Sequence, residues 1–402
     1  MKSYKLAIEI LKLFFIFRRL FQIIIKSWNY MVKHKKTDKI QILINNVVPL
    51  NNGDVALFYS LYTKLIAAGF QVKIATYYYN LAKELYPNIP FVEEIGQHKI
   101  FIKTPFLKPI VLPLLFLLSK SYRNADVIIG TPGGYINSNY NIKNSLSVYK
   151  IAKFFGKKSL IYSQSVGPLN KKDALFFKKL MATSISYIFV RDQFSFDILN
   201  DLNISKEKFK LTKDAAFLLD FKESKPNELK KVAISVREWN YDGRNKTAYI
   251  KMINAFIKEC VNRGYAVEFL STCQGLKNYK DDSKLAQEIY NNLETLLQKK
   301  VTVLSDYYVF DDFYKKLEEY EFIIGTRLHM CITSLTKNIP AFNISYEVKG
   351  KECYNYLGLS EYSIDYNEDT KKALQLFTIF IDKSDEIREH LKIIMPKINE
   401  ES

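Results

Sequence analysis
Phe322-Ile323-Ile324-Gly325-Thr326-Arg327-Leu328-His329 decides how the rest of the chain is read. Three apolar residues and a glycine are the pattern of a short buried strand that ends in a turn. In an open α/β sheet, ligands bind beyond the carboxyl ends of the strands. The arginine and histidine that follow therefore stand where an anion-binding group and a titratable group can meet a substrate. The other three histidines, His34, His98 and His390, lie in polar or weakly patterned surroundings. A plainer alternative for His329 is capping or packing in the first turn of the next helix. The arginine beside it, and a second arginine at the end of another strand, favour the site.

The same alternation of short β-branched strands and amphipathic helices recurs along the chain, which implies parallel sheets with helices on both faces. In the first half, strands are expected at Ile40–Ile44, Val72–Thr76, Val127–Gly130, Ser159–Tyr162 and Tyr187–Val190. Helices fall near Val55–Ala68, Ser145–Phe155, Ala174–Ile185 and Phe194–Asn200. The polar, proline-bearing stretch Lys222-Glu223-Ser224-Lys225-Pro226-Asn227-Glu228 is the best boundary. Beyond it come strands Val232–Val236, Ala266–Leu270, Val301–Leu304, Phe322–Gly325 and Ala341–Ile344, with helices Thr247–Asn262, Asp282–Leu293 and Asp311–Tyr320. The fold class is α/β, with two Rossmann-like, doubly wound domains facing a cleft. The expected divisions are a basic N-terminal segment (1–37), the first domain (38–222), the second domain (230–365) and a C-terminal helical tail (366–402).

A chain of 402 residues exceeds what one core usually holds, and 48% hydrophobic content supplies two. The net charge of +17, from 59 basic and 42 acidic residues, favours an anionic partner: nucleic acid, an acidic membrane surface or a phosphorylated substrate. No nucleic-acid module accompanies that charge, so no specific nucleic acid is expected. Cys260, Cys273, Cys331 and Cys353 have neither CxxC spacing nor a histidine cluster, which argues against a disulfide framework or a zinc site and fits the cytoplasm. Leu6, Ile10, Leu13, Phe17, Leu20, Ile24 and Trp28 recur at spacings of three and four, with Lys5, Glu9, Lys12, Arg19 and Lys26 on a separate flank. That is a basic amphipathic helix, interrupted too often by charge to span a bilayer. Two readings stand for it: lying on an anionic membrane surface, or docking on the protein itself or another subunit. The apolar stretch Ile110–Leu118, flanked by lysines, likewise reads as a core helix or as a second lipid-facing element.

Several other strand ends carry polar groups. Asn51-Asn52-Gly53-Asp54 runs into a helix, where glycine permits a tight turn and Asp54 can cap the helix or bind a sugar hydroxyl. Thr131-Pro132-Gly133-Gly134 allows close approach of a ligand to the backbone. Ser163-Gln164-Ser165-Val166-Gly167-Pro168 supplies hydroxyl and amide groups, and Arg191-Asp192 offers an adjacent ion pair that could equally lock loops together. Val232–Val236 ends in Arg237 as the later strand ends before Arg327, so two arginines on one sheet edge can form a bidentate clamp for a carboxylate and a phosphate. Asp281-Asp282 and Asp311-Asp312 each open a helix, where carboxylates suit the macrodipole better than a metal role.

These motifs, in this order from Ile40 to Leu359, resemble the polysaccharide pyruvyl transferase family. They are Asn52-Gly53-Asp54, Gly133-Gly134, Gln164-Ser165-Val166-Gly167-Pro168, Val190-Arg191-Asp192, Ser235-Val236-Arg237, and Arg327-Leu328-His329 followed by Tyr346 and Lys349. The chain departs from the family pattern in the proline before the paired glycines and in its N-terminal basic helix. The resemblance implies a glycosyltransferase-B-like pair of domains, phosphoenolpyruvate as donor substrate, no further cofactor and no metal. It implies that Arg237, Arg327, His329 and Lys349 hold the donor, with His329 and Arg327 catalytic. Asn52, Gly53, Asp54, Gly133, Gly134 and Gln164 would lie on the acceptor side. The acceptor would be a sugar of a cell-surface polysaccharide or its lipid-linked precursor, at the cytoplasmic face of the membrane. The alternative is a glycosyltransferase of the same architecture that uses a nucleotide sugar.

Overall fold
The structure, a computed structural model, describes residues 39–97, 107–223, 229–239 and 243–402. The amphipathic segment expected at 1–37 lies outside them, as do linker residues 224–228. Residues 41–402 form one compact unit built on two sheets.

The first sheet contains β1 (Gln41–Val47), β2 (Gln71–Thr76), β3 (Phe91–Glu93), β4 (Val127–Gly130), β5 (Gly133–Ile136), β6 (Lys158–Val166), β7 (Tyr187–Val190) and β8 (Phe209–Leu211). Its order is β3-β2-β1-β4-β6-β7-β8, with β5 also paired to β6. The second contains β9 (Lys231–Ser235), β10 (Ala266–Phe269), β11 (Val301–Val303), β12 (Phe322–Gly325), β13 (Ala341–Ser345) and β14 (Ser363–Asp365), in the order β11-β10-β9-β12-β13-β14. The pairings are parallel throughout. Strands covered by helices on both faces need apolar residues at consecutive positions. Val232, Ala233 and Ile234 of β9 and Ile323 and Ile324 of β12 are accordingly fully buried.

The helices of eight or more residues are α1 (Asn52–Ala67), α2 (Lys108–Leu118), α3 (Ile142–Phe154), α4 (Lys171–Thr183), α5 (Gln193–Asp201), α6 (Lys246–Asn262), α7 (Ser283–Asn291), α8 (Leu328–Leu335), α9 (Val348–Tyr356), α10 (Thr370–Asp382) and α11 (Ser384–Glu401). Helix α1 touches α8 and the short helix Phe310–Lys316 of the second half, with Tyr59 and Phe310 ring centroids 5.5 Å apart. In the tail, α10 packs on α6 of the second half. Helix α11 returns to the first half, where Asn399 Nδ2 donates to Phe217 O (2.6 Å) and Leu219 O (3.2 Å).

The expected strands and helices recur here with small shifts at their ends. Unforeseen additions are β3, β5, β8, β14 and α9. The main correction concerns β6, which runs on to Val166, so Ser163-Gln164-Ser165 is strand rather than the loop after it. Neighbours on both sides hold it, with Gly133 and Val190 both in register with Gln164.

Candidate active site
Strands β9 and β12 are neighbours, with Ser235 in register with Gly325. Each carries an arginine two residues further on, so Arg237 and Arg327 leave the same carboxyl edge. Tyr249 ties the two strand ends together: its hydroxyl accepts from Arg237 N (3.3 Å) and bonds Thr326 Oγ1 (2.7 Å). At Gly325 a Cβ would stand 2.3 Å from Cys331 Sγ, so the tight turn into α8 requires glycine. Arg327 is the N-cap of α8 without a side-chain cap bond, and His329 stands in the first turn of that helix.

The two arginines are held differently. Arg327 Nε and Nη2 donate to Asp282 Oδ2 (2.7 Å) and Oδ1 (2.8 Å), a buried bidentate pair that Ser271 Oγ completes (2.6 Å to Oδ2). Burial acts to lower the Arg327 pKa, but Asp282 outweighs it and holds the guanidinium firmly charged. Asp282 opens α7, where a helix start was expected, and its carboxylate serves as the partner of Arg327 along the Nε–Nη2 edge of the guanidinium. The Arg237 guanidinium stacks at 4.9 Å from the Trp239 ring and 4.5 Å from the Tyr346 ring, and Nη1 donates to Tyr346 Oη. Lys349 pairs with Glu347 (2.5 Å).

From the first half, α1 delivers its amino end against His329. Asn51 caps the helix, its Oδ1 accepting from Gly53 N (2.8 Å) and its Nδ2 donating to Asp54 Oδ2 (3.1 Å). Gly53 lies flush on the histidine, because a Cβ there would come within 2.9 Å of His329 Cβ and 3.0 Å of Nδ1. Asp54 is half-buried in the same corner. Burial raises its pKa, against the pull of His329, Arg327, Arg191 and Lys349. On the other side of the ring, His329 Nε2 meets Asp214 Oδ2 at 3.3 Å. Asp214 also accepts from Arg191 Nη1 (2.7 Å) and, through Oδ1, from Ala216 N (3.0 Å). Burial acts to raise the Asp214 carboxyl, but Arg191 and His329 outweigh it and hold it well below the usual carboxylate range.

Other expected residues are placed less directly. Arg191 and Asp192 are not a mutual pair: Ser165 Oγ accepts from Arg191 Nε (2.8 Å) and donates to Asp192 Oδ2 (2.6 Å), while Asp192 caps α5. Gly134 borders the arginine, since a Cβ there would lie 3.8 Å from Arg191 Nη2, and Gly133, in β5, pairs with Gln164 of β6. Gln164 is fully buried, with Nε2 donating to Ser165 O (2.9 Å). Asn52 joins the halves, its N–H donating to Thr272 O (2.7 Å) and Nδ2 to Tyr308 O (2.9 Å). Among the described residues, no group of three or more His, Cys, Asp or Glu could hold a metal ion, and no helix is long and apolar enough to cross a membrane.

Residues 51–348 match the model of the polysaccharide pyruvyl transferase family. The chain belongs to that family. It is 27% identical over 290 residues to the amylovoran biosynthesis protein AmsJ of Erwinia amylovora, an alignment covering 65% of this chain and 66% of the relative. The fold is that of a glycosyltransferase from Rickettsia africae (TM-score 0.59, 14% identity, 90% of this chain and 94% of that one). It is also that of Anabaena HepE, solved with UDP and glucose (TM-score 0.57, 12% identity, 90% and 97%). This member of the polysaccharide pyruvyl transferase family thus has a glycosyltransferase-B-like architecture. Of the motifs that carried the resemblance, Asn52-Gly53-Asp54 meets His329 at Gly53, while Asp214, which reaches its Nε2, belongs to none of them. Lys213-Asp214-Ala215-Ala216 follows a three-residue strand and has no spacing that marks chemistry; only its cap bond to Ala216 N was foreseeable.

Proposed function
We infer that the protein transfers pyruvate from phosphoenolpyruvate to a sugar of a polysaccharide or its lipid-linked precursor, forming a pyruvate ketal. The observation that carries this reading is that Arg237 and Arg327 follow the neighbouring ends of β9 and β12, with His329 two residues beyond Arg327 and packed against Gly53 of the other half. Phosphoenolpyruvate is a small dianion or trianion, and a cationic edge with helix N–H groups suits it. Arg237 grips the donor, and the charge of Arg327, fixed by Asp282, faces the departing phosphate. His329 protonates the methylene carbon. Asp214 engages its Nε2, so Nδ1, on the Gly53 side, is the nitrogen that delivers the proton. Protonation makes C2 electrophilic, and a sugar hydroxyl adds there and loses its proton. Inorganic phosphate leaves with its bonding pair, and a second hydroxyl closes the ketal. Asp54 stands where it can accept a hydroxyl proton.

Turnover in heavy water tests the central step. The ketal methyl should carry solvent deuterium, and His329→Gln should lose roughly 10²–10⁴-fold in rate while still gaining thermal stability from phosphoenolpyruvate. A methyl free of solvent deuterium would refute proton delivery. Protection by nucleotide sugars rather than phosphoenolpyruvate would identify a glycosyltransferase instead.

A further inference from the structure
The positive charge of this protein is concentrated. Between Ile95 and Arg191 stand thirteen lysines and two arginines, against two acidic residues, Asp126 and Asp173. Both aspartates are engaged: Asp126 Oδ2 accepts from Gln41 N (2.9 Å), and Asp173 Oδ2 from Ser138 Oγ (2.9 Å) and Asn170 Nδ2 (2.9 Å). The described part of this stretch includes α2, α3 and α4, which pack in sequence, α2 on α3 and α3 on α4.

Large apolar side chains protrude among these cations. Leu175 on α4 is 69% exposed, and Lys171, Lys172, Lys178 and Lys179 occupy its i−4, i−3, i+3 and i+4 positions, so exposed ammonium groups surround it on the helix surface. Leu118 at the end of α2 is 77% exposed, two residues before Lys120. Phe154 at the end of α3 is 57% exposed, one turn after Lys150. Asp201 is the acidic side chain beside Leu175, where Lys171 and Lys178 flank the same hollow.

We propose that the outer face of α3 and α4, with Leu175 at its centre, docks on the anionic headgroups of a lipid bilayer. A membrane interface satisfies both parts of the surface, phosphates meeting the ammonium groups and the acyl boundary receiving leucine and phenylalanine. Nucleic acid would satisfy the lysines and could stack on Phe154, but it would leave Leu175 at the centre and Leu118 unmatched, because leucine has no face on which a base can stack. The placement does not depend on which donor the enzyme uses.

The test uses the full chain carrying Leu175→Trp, with the wild-type emission of Trp28 and Trp239 as background. Phosphatidylcholine vesicles containing phosphatidylglycerol with brominated acyl chains should blue-shift and quench the added indole. Lys178→Glu together with Lys179→Glu should weaken vesicle binding by about tenfold or more. Pure phosphatidylcholine should give neither effect. An unquenched indole while the chain sediments with vesicles would overturn the proposal and place the contact elsewhere. Equal response to neutral lipid, or a response to single-stranded RNA in place of vesicles, would overturn it too.

Discussion
At the scale of single residues, two aspartates flank His329 with opposite electrostatics. Asp54 has its pKa raised by burial despite four cations around it, so its ionised form is disfavoured in the folded protein. Stability from such a group is fully present below its ordinary value of 3.8 and is lost as pH rises through the higher folded value. Ionised Asp54 therefore costs stability at neutral pH. Asp54→Asn should unfold at a higher temperature at neutral pH, lose that advantage near about pH 3, and transfer pyruvate more slowly. A lower melting temperature at neutral pH would contradict this. Asp214 is the reverse case, a carboxylate stabilised by Arg191 and His329. Asp214→Asn leaves Arg191 buried without its counter-charge and should destabilise by about 3 kcal/mol or more. The decisive readout is the imidazole: nitrogen shifts of His329, one of four histidines, should report a changed tautomer balance. Unchanged shifts in a folded variant would show that Asp214 does not orient the ring.

At the scale of elements, the apolar strands were legible because β9 and β12 are buried on both faces and need unbroken apolar runs. Strand β5 was hidden by Gly133 and Gly134, which read as an opening for a ligand beyond β4; Gly133 has a φ of 151° yet still pairs with β6. The buried polar run Ser163-Gln164-Ser165 looked like a loop because nothing local shows that β5 and β7 will enclose it. The arginines and His329 could be read from their places at strand ends, but the partners that fix them, Asp282 and Asp214, are distant in sequence and joined only by the fold. Within the site, α1 meets α8 at Gly53. Gly53→Ala introduces a methyl within 2.9 Å of His329 Cβ, so α1 or the histidine must shift. We expect a stability loss of about 1–3 kcal/mol and a fall in turnover on the order of 10²-fold. Near-normal turnover would show that the two helices can part without moving the ring.

At the scale of the whole molecule, catalytic groups from both sheets must be held in one register, and α11 contributes to this from a distance. The segment 212–219 carries Asp214 and is gripped along its length. Ser163 Oγ accepts from Ala215 N (2.8 Å), Ser60 Oγ donates to Ala215 O (2.7 Å), and Thr212 Oγ1 donates to Glu401 O (3.0 Å). Asn399 holds the carbonyls of Phe217 and Leu219, while Ile387, Leu391, Met395 and Ile398 bury the apolar face of α11. The helix that follows the second sheet thus supports the loop by which the first half positions His329. Asn399→Ala removes both amide bonds without altering a residue that faces the cleft, and should cost about 1–3 kcal/mol in a denaturant melt. If the loop depends on that support, the maximal rate should fall while phosphoenolpyruvate binding, centred on Arg237, stays near the wild-type level. A destabilised variant with an unchanged maximal rate would mean that Ser163 and Ser60 suffice to hold Asp214, and that α11 serves stability alone.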